Sequence, residues 1–146
     1  MITKLLETTT PNQQKKLIEI ERIGSLCLPI YYTVSELKNL DETVSIYIYE
    51  QYSKILGFII VDWKTPLNGH ICSFAVLPNY RKQGIGTQLL DYCLLKSFRL
   101  SLHVVTDNQT AISLYTKKKF IIQYEIHNYY ETLRKNAYYL VHSCSL

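Results

Sequence analysis

Residues 81–87, Arg-Lys-Gln-Gly-Ile-Gly-Thr, place two cations, two closely spaced glycines and a hydroxyl in one short stretch. An apolar run ending at Pro78 comes before them, and Leu89, Leu90, Cys93 and Leu94 recur at helical spacing after them. A helix N-terminus leaves backbone N–H groups unpaired and carries partial positive charge, so it attracts phosphate. Gly84 and Gly86 keep side chains off that backbone, Arg81 and Lys82 add full charge, and Thr87 offers a hydroxyl. The same letters also read as a glycine turn that only joins two elements. Two specific phosphate motifs are excluded. The dinucleotide fingerprint wants a small residue where Leu89 stands, and a P-loop ends in GK[ST], which is absent.

His103, between Leu102 and Val104, is either a hydrogen-bonded core histidine or an acid–base group working near neutrality. Cys27, Cys72, Cys93 and Cys144 are far apart and form no CxxC or CxxC…HxxxH pattern, so no metal site and reduced thiols are expected. With 146 residues, 47% hydrophobic and 19% charged, the chain reads as one domain over residues 1–146. A net charge of +4 permits an anionic ligand but falls short of the basic face of a nucleic-acid binder, so direct nucleic-acid binding is not expected. The thirteen tyrosines lie mostly in strand-like segments, where aromatic residues are favoured anyway. No apolar run reaches the ~18 residues of a membrane span, and the N-terminus lacks a signal-peptide pattern, so a cytoplasmic location is expected.

These groups need a scaffold. Met1 to Leu5 reads as a short strand. Pro11 opens a helix to about Ile23 with Leu17, Ile18, Ile20 and Ile23 as its apolar stripe. Leu28-Pro-Ile-Tyr-Tyr32 breaks it, and Thr33 with Glu36 forms a capping box for a second helix to Leu40. Thr43 to Tyr49, Ile55 to Trp63 and His70 to Leu77 read as strands, with Asn68-Gly69 as the last turn. The post-glycine helix runs to about Phe98. It is followed by a strand (Leu100 to Val105), a helix (Asn108 to Lys117) and two strands (Phe120 to Ile126 and Ala137 to Val141). The order β-α-α-β-β-β-α-β-α-β-β is a mixed α/β sheet: an antiparallel meander, then a βαβ crossover.

Arg81-Lys-Gln-Gly-Ile-Gly86 resembles the [RQ]-x-x-G-x-[GA] pyrophosphate loop of the GCN5-related N-acetyltransferase (GNAT) superfamily. Leu102-His-Val104, Asn108, Ala111-Ile112, Tyr115, Phe120 and Asn128-Tyr-Tyr130 resemble the C-terminal half of eukaryotic Nα-terminal acetyltransferases of the NatE and NatF types. Leu28-Pro-Ile-Tyr-Tyr32 is similar to their FPVxY or FPIxY substrate loop. The resemblance implies a fold whose fourth and fifth strands splay apart around acetyl-coenzyme A, with no metal. It also implies the contacts: the pyrophosphate on Arg81, Lys82, Gln83, Gly84, Ile85, Gly86 and Thr87, pantetheine along the backbone of Phe74, Ala75 and Val76, and Asn108 orienting the cofactor.

The resemblance further implies direct attack by an α-amine, with His103 as base through a water and Tyr115 as the group that could protonate the departing coenzyme A sulfur. An α-amine has a pKa of ~7.7–8.0, so it must lose a proton before or during attack. His70 falls where the family carries a tyrosine that helps hold that water. It is either that partner or merely a strand-entry residue, and two protonated rings at one water would lower each other's basicity. Lys119 replaces a glycine common before the family's phenylalanine. Leu28, Pro29, Ile30 and Tyr32, facing Tyr129 and Tyr130, would form an apolar slot for methionine followed by an apolar residue, unsuited to acidic N-termini. Adjacent strand residues point to opposite faces, so both tyrosines cannot be buried on one side. The expected partners are protein N-termini, with a ribosome-associated NatA-like subunit as one option. A lysine or small-amine acetyltransferase, and a non-catalytic acetyl-coenzyme A binder, remain as alternatives.

Overall fold

The computed structural model describes residues 1–5 and 10–144. Its elements are strand β1 (Ile2–Leu5), helices α1 (Pro11–Cys27) and α2 (Val34–Lys38), strands β2 (Val44–Gln51), β3 (Lys54–Thr65) and β4 (Asn68–Val76), helix α3 (Ile85–Lys96), strand β5 (Arg99–Val105), helix α4 (Gln109–Lys117), and strands β6 (Ile121–Tyr130) and β7 (Lys135–Ser143). Short 3₁₀ turns at Pro78–Tyr80 and Glu131–Leu133 complete it. One seven-stranded sheet runs β1-β2-β3-β4-β5-β7-β6. β4 and β5 pair in parallel, with α3 as the crossover, and every other pairing is antiparallel. Order and sheet class are those the sequence implied.

Thr10 caps α1, its hydroxyl accepting from the Gln13 N–H, and Pro11 occupies the first turn, where a missing N–H costs nothing. The helix continues four residues past Ile23 to Cys27, and the Leu28 N–H closes it on Gly24 O. Its buried stripe is Leu17, Ile20, Ile23 and Gly24, while Ile18 stands 58% exposed. Thr33 and Glu36 form the expected capping box on α2. Asn68-Gly69 is not the β3–β4 turn: both residues lie in β4, and Pro66-Leu67 turns the chain. A Cβ at Gly69 would come within 2.8–2.9 Å of Val61 and Trp63, so this glycine answers close packing.

β3 is buried without alternation from Ile55 to Val61, the pattern of a strand covered on both faces, and α1 and α3 both pack on it. The outer strand β6 has no such cover, leaving Ile121, Ile122 and Tyr124 exposed. No helix among the described residues is long and apolar enough to cross a membrane. No group of three or more His, Cys, Asp or Glu among them could hold a metal ion.

Candidate active site

β4 and β5 pair only from Asn68↔Arg99 to Ile71↔Leu102. Beyond that point Cys72–Val76 and His103–Val105 separate, and β4 presents backbone with no partner strand on that side. A β-bulge coincides with the split. Ile60 pairs with Ser73 and Val61 with Ile71, leaving Cys72 as the extra residue. The bulge reverses the alternation of β4. Upstream, His70 faces Ser101 and His103 on β5, whereas downstream Phe74 and Val76 face α3, and Phe74 also faces Tyr115 on α4. One strand therefore supplies a side chain to each side of the opening.

On the α3–α4 side, Arg81, Lys82, Gln83 and Gly84 are exposed, and Gly86 and Thr87 are half-buried. Gly84 is the N-cap of α3 at φ +83°, a conformation glycine adopts without cost, and no side chain caps the helix. The first N–H groups of α3 thus point outward unpaired. A Cβ at Gly86 would lie 3.5–3.6 Å from Phe74 and Val76, against the open edge of β4. Arg81 Nε donates to Val76 O at 3.0 Å, tying the loop to that edge. Ile85 is core at 4% exposure, so only its backbone is available. Bare helix end, glycines, cations and open strand edge form a continuous cradle that fits a pyrophosphate with an amide-bearing tail.

Asn108 caps α4, its Oδ1 accepting from the Ala111 N–H at 3.2 Å. Tyr115 is buried on the same side, its ring 6.4 Å from Phe74 and 5.5 Å from Phe120. Burial, and secondarily the nearby Tyr130 phenol, push its hydroxyl well above the usual tyrosine range.

At the split itself, the His70 and His103 rings are 5.0 Å apart by centroids. Ser101, 5% exposed and in register with His70, holds His70 Nδ1 with its Oγ at 2.8 Å. His103 stacks on Tyr129 at 4.5 Å and 17°, its Nδ1 3.4 Å from the Tyr129 hydroxyl, and rests against Tyr139 at 5.1 Å. Burial, reinforced by His103, pulls His70 down to about 4, and burial also lowers His103. Both rings are neutral at pH 7, each with a nitrogen lone pair.

The loop after α1, to which the sequence assigned the acceptor, is split between core and solvent. Leu28 and Tyr32 pack on the core, while Pro29 is exposed and Ile30 is 54% exposed. Burial, then the Cys72 thiol, raise Tyr32 to about 12, so it stands over the bulge as a neutral phenol. Opposite, Asn128 at φ +55° bends β6 at an irregularity between Ile126 and Tyr130. This turns Tyr129 onto His103 and edges Tyr130 against it, 4.8 Å away at 88°. Ser101, Tyr139 and Cys72 escaped the sequence reading because their roles depend on the parallel register and the bulge, which no local pattern encodes.

The acetyltransferase (GNAT) family model matches residues 9–120, and the chain belongs to that family. It is an acetyl-coenzyme A-dependent acyltransferase. The N-terminal acetyltransferase complex ARD1 subunit homolog of Dictyostelium discoideum is 31% identical over 144 residues, covering 90% of this chain and 70% of that protein. An N-alpha-acetyltransferase of Sulfurisphaera tokodaii is 29% identical over 133 residues, covering 77% and 78%. Among solved structures, Ard1 from Thermoplasma volcanium has a TM-score of 0.76 and 27% identity, covering 99% of each chain. The ribosomal-protein-S18-alanine N-acetyltransferase of Escherichia coli has a TM-score of 0.83 over 100% of this chain and 96% of that one, at 24% identity, a likeness of fold.

Proposed function

We propose that the chain transfers acetyl from acetyl-coenzyme A to the α-amine of protein N-termini, preferring methionine followed by an apolar residue. The observation that carries this is the His103–His70 pair at the split between β4 and β5, roofed by Tyr129 and flanked by Tyr32. Similarity to proteins named as N-terminal acetyltransferases supports it. Arg81 to Thr87 hold the pyrophosphate and the free edge from Phe74 to Val76 holds the pantetheine, while acetyl-coenzyme A supplies a thioester carbonyl.

On this reading the tautomer of His103 is the one with its proton on Nδ1, 3.4 Å from the Tyr129 hydroxyl, which leaves the Nε2 lone pair to accept the amine's proton through water. Neutral His70, fixed by Ser101, holds that water from the β4 side. Tyr115 stays protonated and donates a hydrogen bond at the departing sulfur. Its raised phenol holds its proton far more tightly than a thiol of pKa ~8.5 would, so it acts as a donor and not as the proton source. Leu28, Pro29, Ile30, Tyr32, Tyr129 and Tyr130 receive the first two side chains. A partner subunit like that implied by the name of the Dictyostelium relative belongs to this reading as well.

The test is a mass-spectrometric assay over a panel of peptide N-termini. Met-Leu and Met-Ile peptides should be acetylated on the α-amine fastest, because burying a leucine-sized side chain is worth ~1.5–3 kcal/mol. Faster acetylation of internal lysines would replace this reading with a side-chain acetyltransferase.

A further inference from the structure

The residues assigned to the first two acceptor positions do not account for the open space beside the histidine pair. On the face of β4, β5, β7 and β6 that carries His70 and His103 lies a cleft of about 520 Å³. Its walls are Lys64, Thr65, Asn68, Arg99, Tyr124 and Tyr139, with Ser101 and the two histidines at one end, and none of Leu28 to Tyr32 or Tyr129 and Tyr130 borders it. Because His103 lines it, the cleft lies open to a chain whose amine reaches that ring.

The spacing sets which residues would lie there. Arg99 and His103 are on the same face of β5, four residues apart, or ~13 Å at ~3.3 Å per strand residue. An extended acceptor advances by a similar ~3.3–3.6 Å per residue, so its fifth residue comes level with Arg99 and its third and fourth lie along the stretch leading there. Tyr139 and Tyr124, stacked at 5.1 Å and 26°, give this path an aromatic floor beside the His103 ring.

The charges decide the chemistry. Arg99 donates Nη2 to the Tyr139 hydroxyl at 3.4 Å, and no carboxylate among the described residues pairs with it. Lys64 pairs with Asp62 at 2.6 Å, its side chain 68% exposed. The side chains lining the cleft therefore include two cations, Lys64 and Arg99, and no carboxylate, with histidines and tyrosines between them. Arg99 is the cation with coordination to spare.

Resting on the reading of the site as an α-amine acetyltransferase, we propose that this cleft binds the third to fifth residues of the acceptor and that Arg99, aided by Lys64, selects an aspartate or glutamate there. The slot for the first two residues is apolar and the stretch beyond it is basic, so the favoured acceptor is an apolar head followed by an acidic segment.

The test uses Met-Leu peptides identical except for Asp, Ala or Lys at positions three to five, with α-amine acetylation followed by mass spectrometry at low and high salt. The acidic series should exceed the alanine series in kcat/KM by about two- to tenfold, chiefly through KM, and the advantage should shrink with salt, as expected for exposed ion pairs. Arg99→Ala should bring the acidic-to-alanine ratio close to one, and Arg99→Glu should favour the lysine series. The thermal shift given by acetyl-coenzyme A checks that each variant is folded. Charge-blind acetylation of α-amines, or an acidic preference that survives Arg99→Glu in a folded protein, overturns this inference and leaves the proposed function intact. Absence of α-amine acetylation overturns both.

Discussion

His103 and His70 are close enough that placing charge on both is costly, and burial makes charge on either unfavourable. In the proposed mechanism the pair therefore enters catalysis neutral, with lone pairs available, and a proton gained at one ring is resisted by the other. His103→Ala should lower kcat by roughly 10²–10⁴, the usual contribution of a positioned acid–base group, while acetyl-coenzyme A still raises Tm. Because burial lowers His103, the acid limb of kcat should fall below pH 6.5, leaving the amine's own ~7.7–8.0 step in kcat/KM. Ser101→Ala should lower kcat and shift that acid limb, since the hydroxyl hydrogen-bonds to His70. A wild-type rate in His103→Ala at every pH would remove the base assignment and leave an amine that arrives neutral.

Among the elements, what the sequence disclosed and what it hid separate along a physical line. Caps and turns declared themselves because their chemistry is local: Thr33 with Glu36 and Pro11 in the first turn stand as read, and a glycine, Gly84, caps α3 at positive φ. Lys119, which replaces the glycine of the family pattern the sequence resembles, has a φ of +70°, a backbone conformation that glycine adopts without cost. The bulge at Cys72 and the pairing of His70 with Ser101 were hidden, because both depend on how β4 meets β3 and β5. Gly24 belongs to the hidden kind too. It sits inside α1, where glycine costs ~0.5–1 kcal/mol relative to alanine, and a Cβ there would be 2.9 Å from Tyr31 Cβ. The helix gives up that stability so that the acceptor loop can lie against it. Gly24→Ala should push the loop outward, raising KM for peptides severalfold while the thermal shift with acetyl-coenzyme A persists. Unchanged peptide KM in that variant would mean the loop does not contact the acceptor.

For the molecule as a whole, the buried titratable groups define a pH window for folding. His70 falls from its ordinary 6.5 to about 4 on folding, so between those values the unfolded chain binds more protons, and stability is lost as pH drops from 6.5 toward 4. His103 shifts in the same direction. At the other end, Cys93 rises from 9.0 to about 12 and Tyr32 from 10.0 to about 12, both chiefly through burial. Their folded forms hold protons that the unfolded chain releases, so stability is lost as pH rises from about 9 toward 12. Tm should therefore form a plateau from about pH 6.5 to 9 with a decline on each side, measured by calorimetry without ligand. The acid decline has an identifiable source, since Asp62, lowered mainly by its hydrogen bond from Lys64, weighs in only below its ordinary 3.8. His70→Tyr removes the largest histidine shift and restores the residue type of the family pattern, so its decline between pH 6.5 and 4 should be visibly shallower while the alkaline side is unchanged. A decline just as steep in His70→Tyr would mean that the cost of charging this face lies elsewhere, and that His70 is not held neutral by the fold in the way the mechanism requires.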